Sequence, residues 1–290
     1  MLKQFKGIKW INNIPRFLLY NLETKQMELK NINNNISIKK TNQKICNGYY
    51  DLLKREYKKC NNLCENEKTC DECKKLSGFG NCLGCDGMSC KANNDIALKF
   101  CNQPHVIYIA LFGNNKFKVG TTAEYRKYER ILEQGAIASM FIAKTPTGKL
   151  ARLIEHKIGT FGPTLQVNSN YKIQNLVIEK DKYEIKNILE KEYNEIKNLL
   201  PDILKQYLIN PKINYCEKIN DINKKILLKD SSQLSLFDEE KEKNYEYILE
   251  PNDIEGEIIN IVGTMLILKK EKITIYDTKK LEGWIVDINA

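Results

Sequence analysis

The chain has 290 residues, 42% of them hydrophobic, enough for two or three modest domains with real cores. Its formal charge of +9, from 46 Lys and Arg against 37 Asp and Glu, favours polyanionic partners through counterion release. No apolar run approaches the ~20 residues that span a bilayer, and MLKQFKGIKW has no continuous apolar leader segment, so we expect no membrane partner and a cytoplasmic protein. In that reducing compartment, ten cysteines suit metal ligands or free thiols better than disulfides.

Residues 1–45 read as an N-terminal β-hairpin region. Phe17 to Tyr20 is a short apolar run, and Leu22 to Leu29 alternates around a Glu-Thr-Lys turn. Asn31 to Asn35 is a loop. No reactive constellation occurs here, so this region is scaffold.

Residues 46–104 form a Cys-rich metal-binding module. Two CxxC pairs stand out, Cys70/Cys73 in CDEC and Cys82/Cys85 in CLGC. A two-residue gap lets both thiolates of a tight turn face one ion, and two such turns complete a tetrahedral site. Cys60, Cys64, Cys90 and Cys101 then make a second four-thiolate set. Cys46 and Cys216 are left over as structural or free thiols. Structural Zn²⁺, as one or two ions, is the expected metal, because zinc asks only for tetrahedral thiolates. An iron–sulfur cluster uses the same ligand type and is the alternative.

Residues 105–180 carry an αβ core. Val106 to Phe112 is a buried strand, Gly113-Asn114-Asn115 a hairpin turn, and Lys116 to Gly120 the return strand. A helix follows, with Thr122 as N-cap and Glu124 in its first turn. Tyr125, Tyr128, Ile131 and Leu132 mark its apolar face, while Arg126 and Arg130 share a second face. Gly135 ends it. Ile137 to Ala143 is a third strand, and Lys149 to Ile158 a second helix with Glu155 at the edge of its apolar stripe. His105, four residues after Cys101, is read either as a further metal ligand or as a polar strand-edge residue. His156 faces the surface. Phe161 to Val177 is expected to be loop and strand, with Asn168 and Asn170 as polar contacts near the core.

Residues 181–230 are a helical brace interrupted at Pro201, with Ile185, Leu189 and Ile196 on one face. Residues 231–290 are a polar linker, Asp230 to Asn244, followed by a small antiparallel sheet from Glu255 to Ile288 that could pair with the N-terminal hairpins. The expected fold class is therefore α+β.

Several of these residues resemble an uncharacterised prokaryotic family, domain-of-unknown-function family 2797. They are Cys101, His105, Tyr108-Ile109-Ala110, Lys118-Val119-Gly120, Arg130, Glu133-Gln134-Gly135-Ala136 and Glu155, with Gly256, Gly263 and Leu266 near the C-terminus. The hairpin, arginine and distal glutamate also resemble the GIY-YIG nuclease fold. Val106-Ile107-Tyr108 stands for the first name motif and Lys118-Val119-Gly120 for the second. That resemblance implies a phosphodiester-cleaving site. Tyr108 would activate or orient water, Lys118, Arg126 and Arg130 would meet phosphate, and Glu155 would hold Mg²⁺. In place of the second motif's tyrosine stands Lys118, and in place of the first motif's glycine stands Val106.

The bland readings are equally concrete. Tyr108 fits a core strand, Lys118 and Arg126 a solvated face, and Arg130 with Glu155 a structural ion pair. Our reading is a zinc-binding protein that engages RNA or DNA through a GIY-YIG-like core, because the motif's tyrosine has become a lysine. A Mg²⁺-dependent endonuclease and a protein–protein adaptor are the alternatives.

Overall fold

A computed structural model describes residues 2–51, 53–54, 56–82, 84–92, 94–176, 180–216 and 245–289. The polar linker expected at 230–244 lies outside the described residues. The fold is α+β.

The N-terminal region supplies strands β1 (Leu2–Ile11), β2 (Ile14–Asn21), β3 (Met27–Asn31) and β4 (Asn35–Lys44). Asn12 and Asn13 turn β1 into β2 with φ of 50° and 63°, the left-handed pair that a two-residue hairpin requires. The Cys-rich stretch contributes the small ladder β5 (Tyr49–Asp51) and β6 (Glu56–Lys58), then α1 (Asp71–Ser77) and α2 (Asp95–Cys101).

The core follows as β7 (His105–Phe112), β8 (Lys116–Ala123), α3 (Lys127–Gln134), β9 (Ala138–Thr145), α4 (Gly148–Gly159) and α5 (Ser169–Gln174). Helices α6 (Lys182–Leu199) and α7 (Asp202–Lys205) and strand β10 (Ile213–Tyr215) complete that half. The C-terminal part is β11 (Tyr245–Ile248), β12 (Asp253–Val262), β13 (Met265–Lys269), β14 (Ile273–Asp277) and β15 (Trp284–Asn289).

Two sheets organise the molecule. The core sheet has the order β10-β9-β7-β8 and is antiparallel throughout. Strand β7 lies inside it, and all eight of its residues are buried. Its near-continuous apolar sequence follows from having both faces covered. Ile107, Ile109 and Leu111 face the cluster formed with Ala151, Ile154 and Ile158 of α4 and Ile185, Leu189 and Ile196 of α6. Tyr108, Ala110 and Phe112 face the other way, against Ala136, Ile131, Val167 and Tyr171.

The second sheet has nine strands in the order β11-β14-β13-β12-β4-β15-β1-β2-β3. Its C-terminal strands do not stand alone: β12 and β15 flank β4, and β15 also pairs with β1. Val262, Met265, Ile267 and Ile275 of this sheet share one apolar cluster with the core sheet. Gly135, closing α3 at φ 61°, meets Gly263 of the β12–β13 turn at φ 62°. A Cβ on Gly263 would sit 3.0 Å from the Gly135 nitrogen, so this contact needs two glycines. Trp10 Nε1 donates to the Gly263 carbonyl at 2.9 Å and ties β1 to the same turn.

Three local expectations are corrected. The helix after β8 begins at Lys127 and is not capped by Thr122, because Thr122 and Ala123 pair with Val106 and His105 and extend the strand. Tyr125 and Tyr128 are exposed and do not form a buried stripe; α3 packs through Ile131 and Leu132. Residues 169–174 are helical, started by an Asn168 side chain that accepts from the Tyr171 N–H.

Candidate metal centre and cationic cleft

Cys46, Cys60, Cys70 and Cys73 bring their sulfurs within 4.8 Å of one another and could hold a metal ion such as zinc. One ion bonded to four thiolates at ~2.3 Å sets neighbouring sulfurs about 3.8 Å apart. The Cys60 and Cys70 sulfurs are 3.8 Å apart. Cys46 follows β4, Cys60 follows β6, and Cys70 and Cys73 lie at the start of α1. Backbone amides aim at the sulfurs, as they do around thiolate centres. Cys46 Sγ accepts from the Gly48 N–H at 3.3 Å and the Cys70 N–H at 3.2 Å. Cys60 Sγ accepts from the Asn62 N–H at 3.5 Å. The Cys73 N–H is the largest influence holding the Cys70 thiol down, at about 7.

The grouping differs from the sequence-based pairing in two ways. CDEC does not share its site with CLGC, and Cys46, expected to be left over, takes part. Cys64 is buried beside Cys46 but is not one of the four. The available signal was Cys46-Asn47-Gly48: Gly48 adopts φ 63° and turns its N–H back onto the sulfur. His105 is buried and its Nδ1 contacts the Gln103 carbonyl at 2.8 Å, with the ring edge-on to Phe100.

The second feature is a cleft of about 390 Å³ between the core and the nine-stranded sheet. Five basic side chains line it: Lys6, Lys118, Arg130, Lys172 and Lys279. Only two acids do so, Glu133 and Glu282, and both are already paired. Glu133 accepts from Arg126 Nη2 at 2.8 and 3.0 Å and from Arg130 Nη1 at 3.3 Å. Glu282 accepts from Lys68 at 2.6 Å.

Gln134 organises the floor. Its side-chain oxygen accepts from Lys118 Nζ at 2.9 Å, and its carbonyl accepts from Lys172 Nζ at 2.6 Å. Burial, then the nearby charges of Lys279, Lys118 and Arg130, lower Lys172 to about 7. Burial, then Arg130, lower Lys118 to about 8, against the opposing pull of Glu155. All four residues of Glu133-Gln134-Gly135-Ala136 thus have a job: holding arginines, holding lysines, meeting Gly263, and packing beneath Tyr108.

Arg130 and Glu155 lie within electrostatic reach of both Tyr108 and Lys118. Tyr108 is fully buried, and its hydroxyl has no hydrogen-bond partner of acceptable geometry among the described residues. Burial raises its pKa, while the adjacent Arg130 pulls the other way. Glu155 is buried and accepts from Arg152 at 2.7 Å. Arg126 reaches the group only through Glu133. Lys172 and Lys279 had no place in the sequence-based site, since helix α5 and the Thr278–Leu281 turn come to the cleft by tertiary packing.

The fold and these two features define an α+β protein with a four-thiol centre and a cationic cleft. Residues 33–286 match the model of the family described as "Protein of unknown function (DUF2797)", and the chain belongs to that family. No curated protein and no solved structure matches it. Among the described residues, no helix is long and apolar enough to cross a membrane.

Proposed function

We propose that the cleft binds the phosphodiester backbone of a nucleic acid, in a GIY-YIG-like core steadied by a zinc–thiolate module. The observation that carries this reading is the convergence of Lys118, Arg130 and Lys172 on one cleft whose acids are already engaged. Phosphate is the ligand class that such a cluster suits, and arginine presents it a planar fork. The thiol quartet is read as zinc because its sulfurs crowd around one point. A multi-iron cluster would spread its ligands wider.

Binding stands ahead of cleavage for two reasons. Tyr108 is sealed from solvent, with burial favouring the neutral phenol over the form that would accept a proton. Glu155 spends a carboxylate oxygen on Arg152, which Mg²⁺ would have to displace. An endonuclease remains the second reading, because Arg130 does sit beside Tyr108 and favours its ionised form.

The test is fluorescence anisotropy of the full chain with short RNA and DNA across salt. Binding that weakens linearly in log salt is expected. Lys172→Met should weaken it for all sequences and reduce the salt slope by about one. Absence of binding at low salt removes the reading. Mg²⁺-dependent nicking lost in Glu155→Ala would promote the second.

A further inference from the structure

We propose a second metal site, separate from the first quartet, formed by Cys82, Cys85, Cys90 and Cys101 at the N-terminal end of α4. It takes a thiophilic divalent cation, zinc by class.

The placement begins with two close backbone approaches. In CLGCDGMSC, Gly87 adopts φ 81°, and a Cβ there would fall 2.2 Å from the Leu153 nitrogen and 2.5 Å from the Lys149 carbonyl. The loop between Cys85 and Cys90 is therefore pressed onto the first turns of α4. On the other side, a Cβ on Gly148 would sit 3.4 Å from the Cys101 Cα, so the end of α2 abuts the same helix start. Cys82 and Cys85 share one tight turn, in which the Cys85 N–H donates to the Cys82 carbonyl at 3.2 Å.

The electrostatics agree with that placement. Cys82 senses the charges of Cys85, Cys90 and Cys101, and Cys101 senses those of Cys90 and Cys85. The four thiols thus lie in one neighbourhood at the start of α4, more loosely grouped than the first quartet. Positive potential is aimed at this neighbourhood from α4. The backbone N–H groups of Lys149 and Gly148 favour the Cys101 thiolate against the larger effect of burial, and Arg152, one turn on, favours the thiolate of Cys82. A tetrathiolate centre carries net negative charge, and a helix N-terminus with an arginine offsets it.

The four sulfurs are more widely spread than the first quartet, which alone meets the 4.8 Å limit among the described residues. Cys90 is exposed. Filling the site would clamp α2, the Gly87 loop and α4 together. Arg152 then links it to the cleft, since Arg152 also holds Glu155 at 2.7 Å.

The experiment is metal analysis of anaerobically purified full-length protein, with Cys82→Ser/Cys85→Ser and the milder Cys90→Ser in parallel. Two zinc ions per chain are expected. The double variant should fall to one, and Cys90→Ser should release one ion to a chelator that leaves the wild-type loaded. Cobalt reconstitution gives a second reading: two equivalents with thiolate charge-transfer bands in the wild type, one in the double variant. A single ion per chain that Cys82→Ser/Cys85→Ser retains would overturn the site. Recovery of a disulfide within 82–101 from the anaerobic protein would overturn it equally.

Discussion

The Tyr108 hydroxyl lies over Gly120, its cross-strand partner, where a Cβ would fall 2.5 Å from the phenolic oxygen. Gly120 ends Lys118-Val119-Gly120, and its lack of a side chain leaves the space that the end of the Tyr108 ring occupies. Gly120→Ala is expected to cost about 1–3 kcal/mol through overpacking, because the ring is fully buried and has nowhere to retreat. Urea denaturation measures it. A change within a few tenths of a kcal/mol would mean that the ring moves freely.

Removal of the hydroxyl should have the opposite character. Because it makes no well-formed hydrogen bond among the described residues, Tyr108→Phe should leave stability unchanged or raise it by about 1 kcal/mol. A loss of more than about 1 kcal/mol would show that the hydroxyl bonds Arg130 in solution. The same variant compared in the anisotropy assay reports whether the oxygen contributes to ligand binding.

The cleft lysines predict two pH trends of opposite sign. Lys172 and Lys118 hold their protons only below about 7 and about 8. Anion binding should therefore fall as pH rises through that window, after correction for bulk screening. Folding stability should move the other way. An unfolded lysine keeps its proton to about 10.4, so between these limits the unfolded chain binds more protons and stability rises with pH. Lys172→Met should flatten both trends, and unchanged slopes would place Lys172 in water.

The quartet makes a prediction that separates neighbouring cysteines. Cys46→Ser should lose the bound ion and unfold the module to which its binding energy contributes. Cys64→Ser, next to it but outside the four, should keep the ion and lose only packing. Zinc content and circular dichroism of both variants decide it. Retention in Cys46→Ser with loss in Cys64→Ser would reverse the assignment.

Gly263→Ala addresses the joint between the two sheets. It combines a left-handed backbone with a 3.0 Å approach to the Gly135 nitrogen. A loss of about 1–3 kcal/mol is expected. Native-state hydrogen exchange should show α3 and the β12–β13 turn loosening together.

Local chemistry in the sequence was sufficient for the first strand of the core, its hairpin turn and the end of α3. The apolar run of Val106 to Phe112 is a strand covered on both sides, Asn114-Asn115 can take the left-handed turn, and Gly135 can end a helix with positive φ. The CxxC spacing of Cys70 and Cys73 pointed by the same local logic to a cysteine cluster that could hold a metal. Helix α5 was missed, because Gly162 and Pro163 argued for loop and strand while Asn168, which caps the helix, was read only as a polar contact. Folding in three dimensions decided the rest. Periodicity and turn chemistry act over a few residues. Cys46 reaches Cys73, Gln134 gathers Lys118 and Lys172, and β15 enters between β4 and β1 through contacts that close long loops. Those contacts are chosen by which apolar faces can be buried together, and local sequence does not encode that choice.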